Sequence, residues 1–116
     1  GKLVEYSGYD HDPTEMMFLY PHPVYGASFV KEKYGSLLSD DDLLLLQHII
    51  VSHHGKKEWG APCEPATLSA ELVHHLDMLS ARADMFLHAE NMSSVQGLGG
   101  RKVITKDINP DFGKLF

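Results

Sequence analysis

A single cysteine, Cys63, stands in the sequence, so no internal disulfide framework can form, and the thiol fits a reducing compartment. Long apolar runs are missing too. The run Leu43 to Leu46 is cut by Gln47 and His48 before Ile49, Ile50 and Val51, far short of the roughly 18 residues a membrane span needs. The opening Gly1-Lys2-Leu3-Val4 carries no apolar core of a signal peptide, so a cytoplasmic protein is expected. Basic residues are scarce. Ten Lys and Arg against sixteen Asp and Glu give a net charge of −6, which argues against a domain that grips nucleic acid by charge alone. Histidine, by contrast, is abundant, with eight in 116 residues. A chain of this length that is 43% hydrophobic and 22% charged suits one globular domain rather than a disordered segment.

The pattern predicts a mainly α fold. Residues 1–21 read as an irregular lead-in punctuated by Gly8, Pro13 and Pro21. A helix is expected from Pro21 to Gly35, with Pro23 in its first turn and Val24, Ala27, Phe29, Val30 and Tyr34 along a face. Ser39-Asp40-Asp41-Asp42 marks a second helix start, with a capping hydroxyl and three carboxylates at the positive end of the dipole. The helix from Leu43 to about His54 is apolar on nearly every side and is expected to be central. Gly55 to Pro65 reads as a loop with Trp59 as its apolar anchor. A long helix follows from Pro65 or Thr67 to about Glu90, on the spacing of Leu68, Leu72, Leu76, Leu79, Ala83 and Phe86. The helical core thus covers residues 22–90. Residues 91–116 form an extended tail with β-prone Val103-Ile104-Thr105.

Polar groups interrupt this framework at His22, His53, His54, His74, His75 and Asp77, with His74 and Asp77 three apart on one helical face. Imidazole and carboxylate without thiolate suit a divalent metal such as Mn, Fe, Co, Zn or Mg. A lone histidine in a helical pattern is more often structural, so composition and spacing leave both readings open.

His53-His54-Gly55, Glu58-Trp59-Gly60-Ala61-Pro62, Pro65 and His74-His75-Leu76-Asp77-Met78-Leu79-Ser80-Ala81-Arg82 together resemble the C-terminal part of an HD-domain phosphohydrolase. More narrowly, they resemble the bacterial 3′→5′ exoribonucleases that join an OB-fold to an HD domain, the YhaM type. Pro21-His22-Pro23-Val24-Tyr25-Gly26 is similar to that family's "G-H-x-x-x-G" step, so the resemblance runs from residue 22 to residue 86. It implies a metal-dependent phosphodiester hydrolase acting on the 3′ end of single-stranded RNA or DNA, with the divalent ion held by His22, His53 or His54, and Asp77. Gly1-Lys2-Leu3 looks like the tail of the family's "H-D-I-G-K" motif. A single, partial HD domain over 1–116 is therefore expected, lacking its N-terminal helices, with the first His and the His-Asp pair absent and the chain alone inactive. His11-Asp12 is not taken as that pair, because Pro13 follows it and the pair belongs on a helix. Ser80 stands where the family has a second Asp.

Lys56, Lys57 and Arg82 suit a substrate phosphate and equally suit solvated surface. Trp59 suits base stacking, although packing on the central helix fits its loop better. His48 and His75 are expected to be partly buried, His88 exposed, and Cys63 no nucleophile. Two further functions stay open: a hydrolase of nucleotides or cyclic dinucleotides, and a non-catalytic interaction or regulatory module that keeps the fold but has lost the metals; in this chain the ion is expected to be absent or sub-stoichiometric. Without N-terminal helices over it, the central helix would expose apolar surface, so a homo-oligomer is expected, and no membrane partner.

Overall fold

The computed structural model describes Tyr6, Ser7, residues 12–89 and residues 94–105. The fold is mainly α. Its elements are β1 (Tyr6–Ser7), β2 (Asp12–Pro13), α1 (Glu15–Leu19), α2 (His22–Tyr34), α3 (Asp40–Ser52), α4 (Leu68–Leu87), β3 (Ser94–Val95) and β4 (Arg101–Lys102). The chain divides into two compact units, Gly1–His75 and Leu76–Phe116, with the boundary inside α4. Among the described residues no helix is long and apolar enough to cross a membrane.

In the first unit, β1 and β2 pair antiparallel, Tyr6 opposite Pro13 and Ser7 opposite Asp12. The lead-in expected to be irregular thus holds a strand pair and the short helix α1. Five residues are too few to show a 3.6-residue period, and Pro21 cannot donate into a continuing helix, so α1 ends where α2 begins. Asp12 lies in a strand, not on a helix, while His11 falls outside the described residues.

α3 starts as its sequence dictates. Ser39 Oγ accepts from the Asp42 amide at 3.1 Å and donates to Asp42 Oδ2 at 2.7 Å, a reciprocal cap. α2 and α3 pack closely because small residues line the seam. A Cβ at Gly26 would sit 3.2 Å from Ile50 Cγ2, Ala27 is buried, and Gln47 Nε2 donates to the Ala27 carbonyl at 3.1 Å. Pro23 on α2 and Ser52 on α3 are fully buried, and Ser52 Oγ is satisfied by the His48 carbonyl at 2.6 Å. The far side of α3 is open: Leu44 is 67% exposed. Apolarity on every side therefore does not make α3 buried on every side.

His48 ties the loop after α3 to the helix. Its Nε2 accepts from the Ala66 amide at 2.9 Å, so in the neutral ring the proton sits on Nδ1, 3.8 Å from Cys63 Sγ. The half-buried Cys63 is held as part of this post.

In the second unit, β3 and β4 pair antiparallel, Ser94 opposite Lys102 and Val95 opposite Arg101. The strand expected at Val103–Thr105 falls earlier, because Gly99 and Gly100 take positive φ (+68° and +71°) and turn the chain straight back through Arg101. Val103 instead lies beyond the strand and is buried, as is Leu98. The end of the Met85 side chain, from α4, lies over Gly97, so a side chain there would have to displace it.

Candidate metal centre

His22 is the first residue of α2, whose start is fixed by Pro21 at the cap and Pro23 in the first turn. His53 caps the C-terminus of α3, and His54 follows before Gly55 turns the chain with φ +81°. The close seam between α2 and α3 thus brings one helix start beside one helix end. The result is a cluster in which one nitrogen from each of His22, His53 and His54 lies within 4.8 Å of the others. All three rings are half-buried, with centroids 5.2 Å (His22 to His53), 4.8 Å (His22 to His54) and 4.3 Å (His53 to His54) apart.

The hydrogen bonds assign the tautomer of His53. Its Nδ1 lies 2.6 Å from the Ile50 carbonyl oxygen, which only accepts, so Nδ1 carries the proton and the neutral ring keeps a lone pair on Nε2. That Nε2 is 3.2 Å from His22 Nε2. Two nitrogens about 2.0–2.1 Å from one ion and roughly 100° apart would be separated by about the same distance. The donor set and its spacing therefore fit a divalent ion, and the cluster can bind one.

His74 supports the cluster from α4. It is buried, and its Nδ1 is 2.9 Å from the His53 carbonyl oxygen, so it donates there. Gly55 lets the ring approach, since a Cβ at that position would run into the His74 imidazole. The loop beyond curls through a 3₁₀ turn at Lys57–Trp59, closed by Gly60 at φ +88° and by an Ala61 amide to Lys56 carbonyl bond of 3.1 Å. A Cβ at Gly60 would sit 3.5 Å from His54 Nδ1, so that turn closes over His54.

The remaining sequence candidates sit as follows. Trp59 is not packed away as a loop anchor. Its ring is 50% exposed, lies 6.1 Å from the His74 ring, and carries Lys56 Nζ 5.0 Å above it. Lys56 and Lys57 are exposed. Asp77, Ser80 and Arg82 belong to the second unit, on α4, where all three are exposed. His75 is exposed rather than partly buried, because it points off α4 to Glu71 one turn back, at 3.0 Å. His88 is exposed and pairs with Asp84 at 3.0 Å. The supporting role of His74 has no signature in the sequence, since 21 residues separate it from its partner.

No protein-family model matches the chain, and no solved structure matches it. Among curated proteins, it is 46% identical over 48 residues to the 3′-5′ exoribonuclease YhaM of Bacillus subtilis and to that of Bacillus licheniformis. It is 44% identical over 48 residues to the protein of the same name from Bacillus pumilus. The stretch is 41% of this chain but only 15% of each of those proteins, so the chain matches a small part of their length. Over that stretch the chain is related to proteins of the exoribonuclease YhaM type.

Proposed function

We propose that the chain is part of an HD-domain phosphohydrolase of the 3′→5′ exoribonuclease type, with single-stranded RNA as substrate. The observation that carries this reading is the convergence of His22, His53 and His54 within 4.8 Å, in a chain related over 48 residues to exoribonucleases. In this reading the three histidines hold a divalent ion. Such an ion supplies Lewis-acid charge to a scissile phosphate and lowers the pKa of a bound water.

The chain's own residues do the rest. The Ile50 carbonyl holds the His53 proton on Nδ1 and so presents Nε2 to the ion. His74 fixes the His53 backbone. Lys56 and Lys57, exposed on the loop, supply positive charge for phosphate oxygens. The exposed face of Trp59 offers a stacking surface for a base. Open leucines on α3, Leu44 and Leu45, support association with a second copy, which light scattering over a dilution series would read as a concentration-dependent mass.

The test is metal uptake by the purified chain together with release of nucleotides from the 3′ end of a 5′-labelled single-stranded RNA. Metal bound by the cluster is the expected outcome, and any shortening from the 3′ end should be abolished by chelation. Stoichiometric metal with cleavage only of mononucleotides or cyclic dinucleotides would move the chain to another class of hydrolase. Absence of metal would move it to a non-catalytic module.

A further inference from the structure

Four aromatic rings form a ladder beside and along α2. Tyr20 meets Tyr25 edge-on with centroids 6.3 Å apart, Tyr25 and Phe29 are near-parallel at 6.2 Å, and Phe29 meets Tyr34 edge-on at 6.5 Å. A bond of 2.7 Å between the Tyr20 hydroxyl and Ser28 Oγ holds the first ring against the helix. Tyr20, Phe29 and Tyr34 are 37%, 40% and 49% exposed, whereas the residues of α2 that are buried are Pro23 and Ala27. Tyr25 is half-buried, so Tyr20, Phe29 and Tyr34 are the open rings of the ladder.

This face has a direction. His22, Tyr25, Phe29 and Lys33 recur at steps of three and four, so they lie along one side of α2. One end of that side is His22 of the histidine cluster. The other end carries exposed Lys33, with Lys31 in the same last turn. Glu32 is the single acid of α2, three residues from Phe29.

We propose that this face is a stacking track for single-stranded RNA, with the 3′ nucleotide at the histidine cluster and the upstream bases on Phe29 and on the Tyr34 ring that meets it at the end of α2. The proposal rests on reading the cluster as a hydrolytic centre. Every base has a π-face, so aromatic rings bind a strand whatever its sequence, as an exonuclease requires. Stacking also answers the charge problem: a chain with net charge −6 needs an attraction to RNA that does not depend on overall charge. Lys31 and Lys33 then meet phosphates away from the cluster. Duplex RNA, whose base faces are already stacked, gains nothing from such a track.

Binding can be read without hydrolysis. Fluorescence anisotropy of a 5′-labelled, ten-nucleotide single-stranded RNA, at low salt and in EDTA, would compare the unsubstituted chain with Phe29→Ala, Tyr34→Ala, Phe29→Tyr and Lys33→Glu. Each alanine variant is expected to weaken binding about tenfold. Phe29→Tyr should retain affinity, Lys33→Glu should weaken it, and Glu32→Lys should tighten it. A duplex of the same sequence should bind the chain and its alanine variants alike. If circular dichroism shows an alanine variant unfolded, Phe29→Tyr and Lys33→Glu carry the comparison. No binding by the unsubstituted chain, or equal binding by all variants, would overturn the proposal. So would alanine variants that change the sedimenting mass and leave RNA binding intact, which would make the face a contact between copies. Metal uptake is measured separately, so a chain that binds RNA on this face but takes up no metal would fail the hydrolase reading alone.

Discussion

The Nδ1–H of His74 donates to the carbonyl oxygen of His53 across 2.9 Å, and its ring occupies the space that a side chain at position 55 would need. One bond thus joins α4 to the turn that carries two of the three clustered histidines. Groups that orient metal ligands without touching the ion typically matter about 10- to 100-fold in metal affinity. His74→Ala is therefore expected to weaken cobalt or zinc binding by about that factor, while His75→Ala, at an exposed ring, leaves it unchanged. Competition titration against a chromophoric chelator measures both.

Gly55 makes the same joint sensitive from the other side. Its φ of +81° disfavours any L side chain by about 1–2 kcal/mol, and a methyl group there must also displace the His74 ring. Gly55→Ala is expected to lower stability by at least about 2 kcal/mol and to weaken metal binding. Gly99, also at positive φ but with open space around a Cβ, should show only the backbone cost when replaced by Ala. Chemical denaturation of the two variants gives the difference.

Capping separates fold from site. Ser39→Ala removes the bond to the Asp42 amide and should cost about 1 kcal/mol, lowering Tm by several degrees. Metal affinity should not change, because the substitution lies at the opposite end of α3 from His53. Differential scanning calorimetry and the same chelator titration check the two halves of this statement.

Much of the framework was legible because its signals are local. Ser39 with three aspartates placed the start of α3, Pro23 placed the start of α2, and the leucine spacing placed α4 to within a few residues of Leu68–Leu87. Helix α1 was not, since five residues ending at a proline show no period. The tail strand was misplaced because β-propensity at Val103–Thr105 is weaker than the turn imposed by Gly99 and Gly100. Within the site, the sequence singled out His22, His53 and His54, and those three stand together. Spacing alone could not choose between His53 and His54. Neither does the structure need to, since both rings enter the cluster. What no one-dimensional pattern holds is the contact of His74 with the His53 carbonyl, or the exposure of Trp59 and the far side of α3. Those depend on which helices are neighbours.

A bound ligand stabilises the folded state in proportion to the logarithm of its excess over Kd. Adding Mn²⁺, Co²⁺ or Zn²⁺ to the metal-free chain at about a hundred times its Kd should raise stability by about 2.7 kcal/mol, with EDTA reversing the change. His53→Ala should show no such rise. Thermal melts with and without metal provide the comparison.

The central claim is that the three histidines hold an ion, and elemental mass spectrometry of the purified chain tests it most directly. The account predicts about one divalent transition metal per chain, lost in His22→Ala and His53→Ala. A chain that carries no metal after exposure to Mn²⁺, Co²⁺ and Zn²⁺, or one whose metal survives removal of His22 and His53, would contradict it.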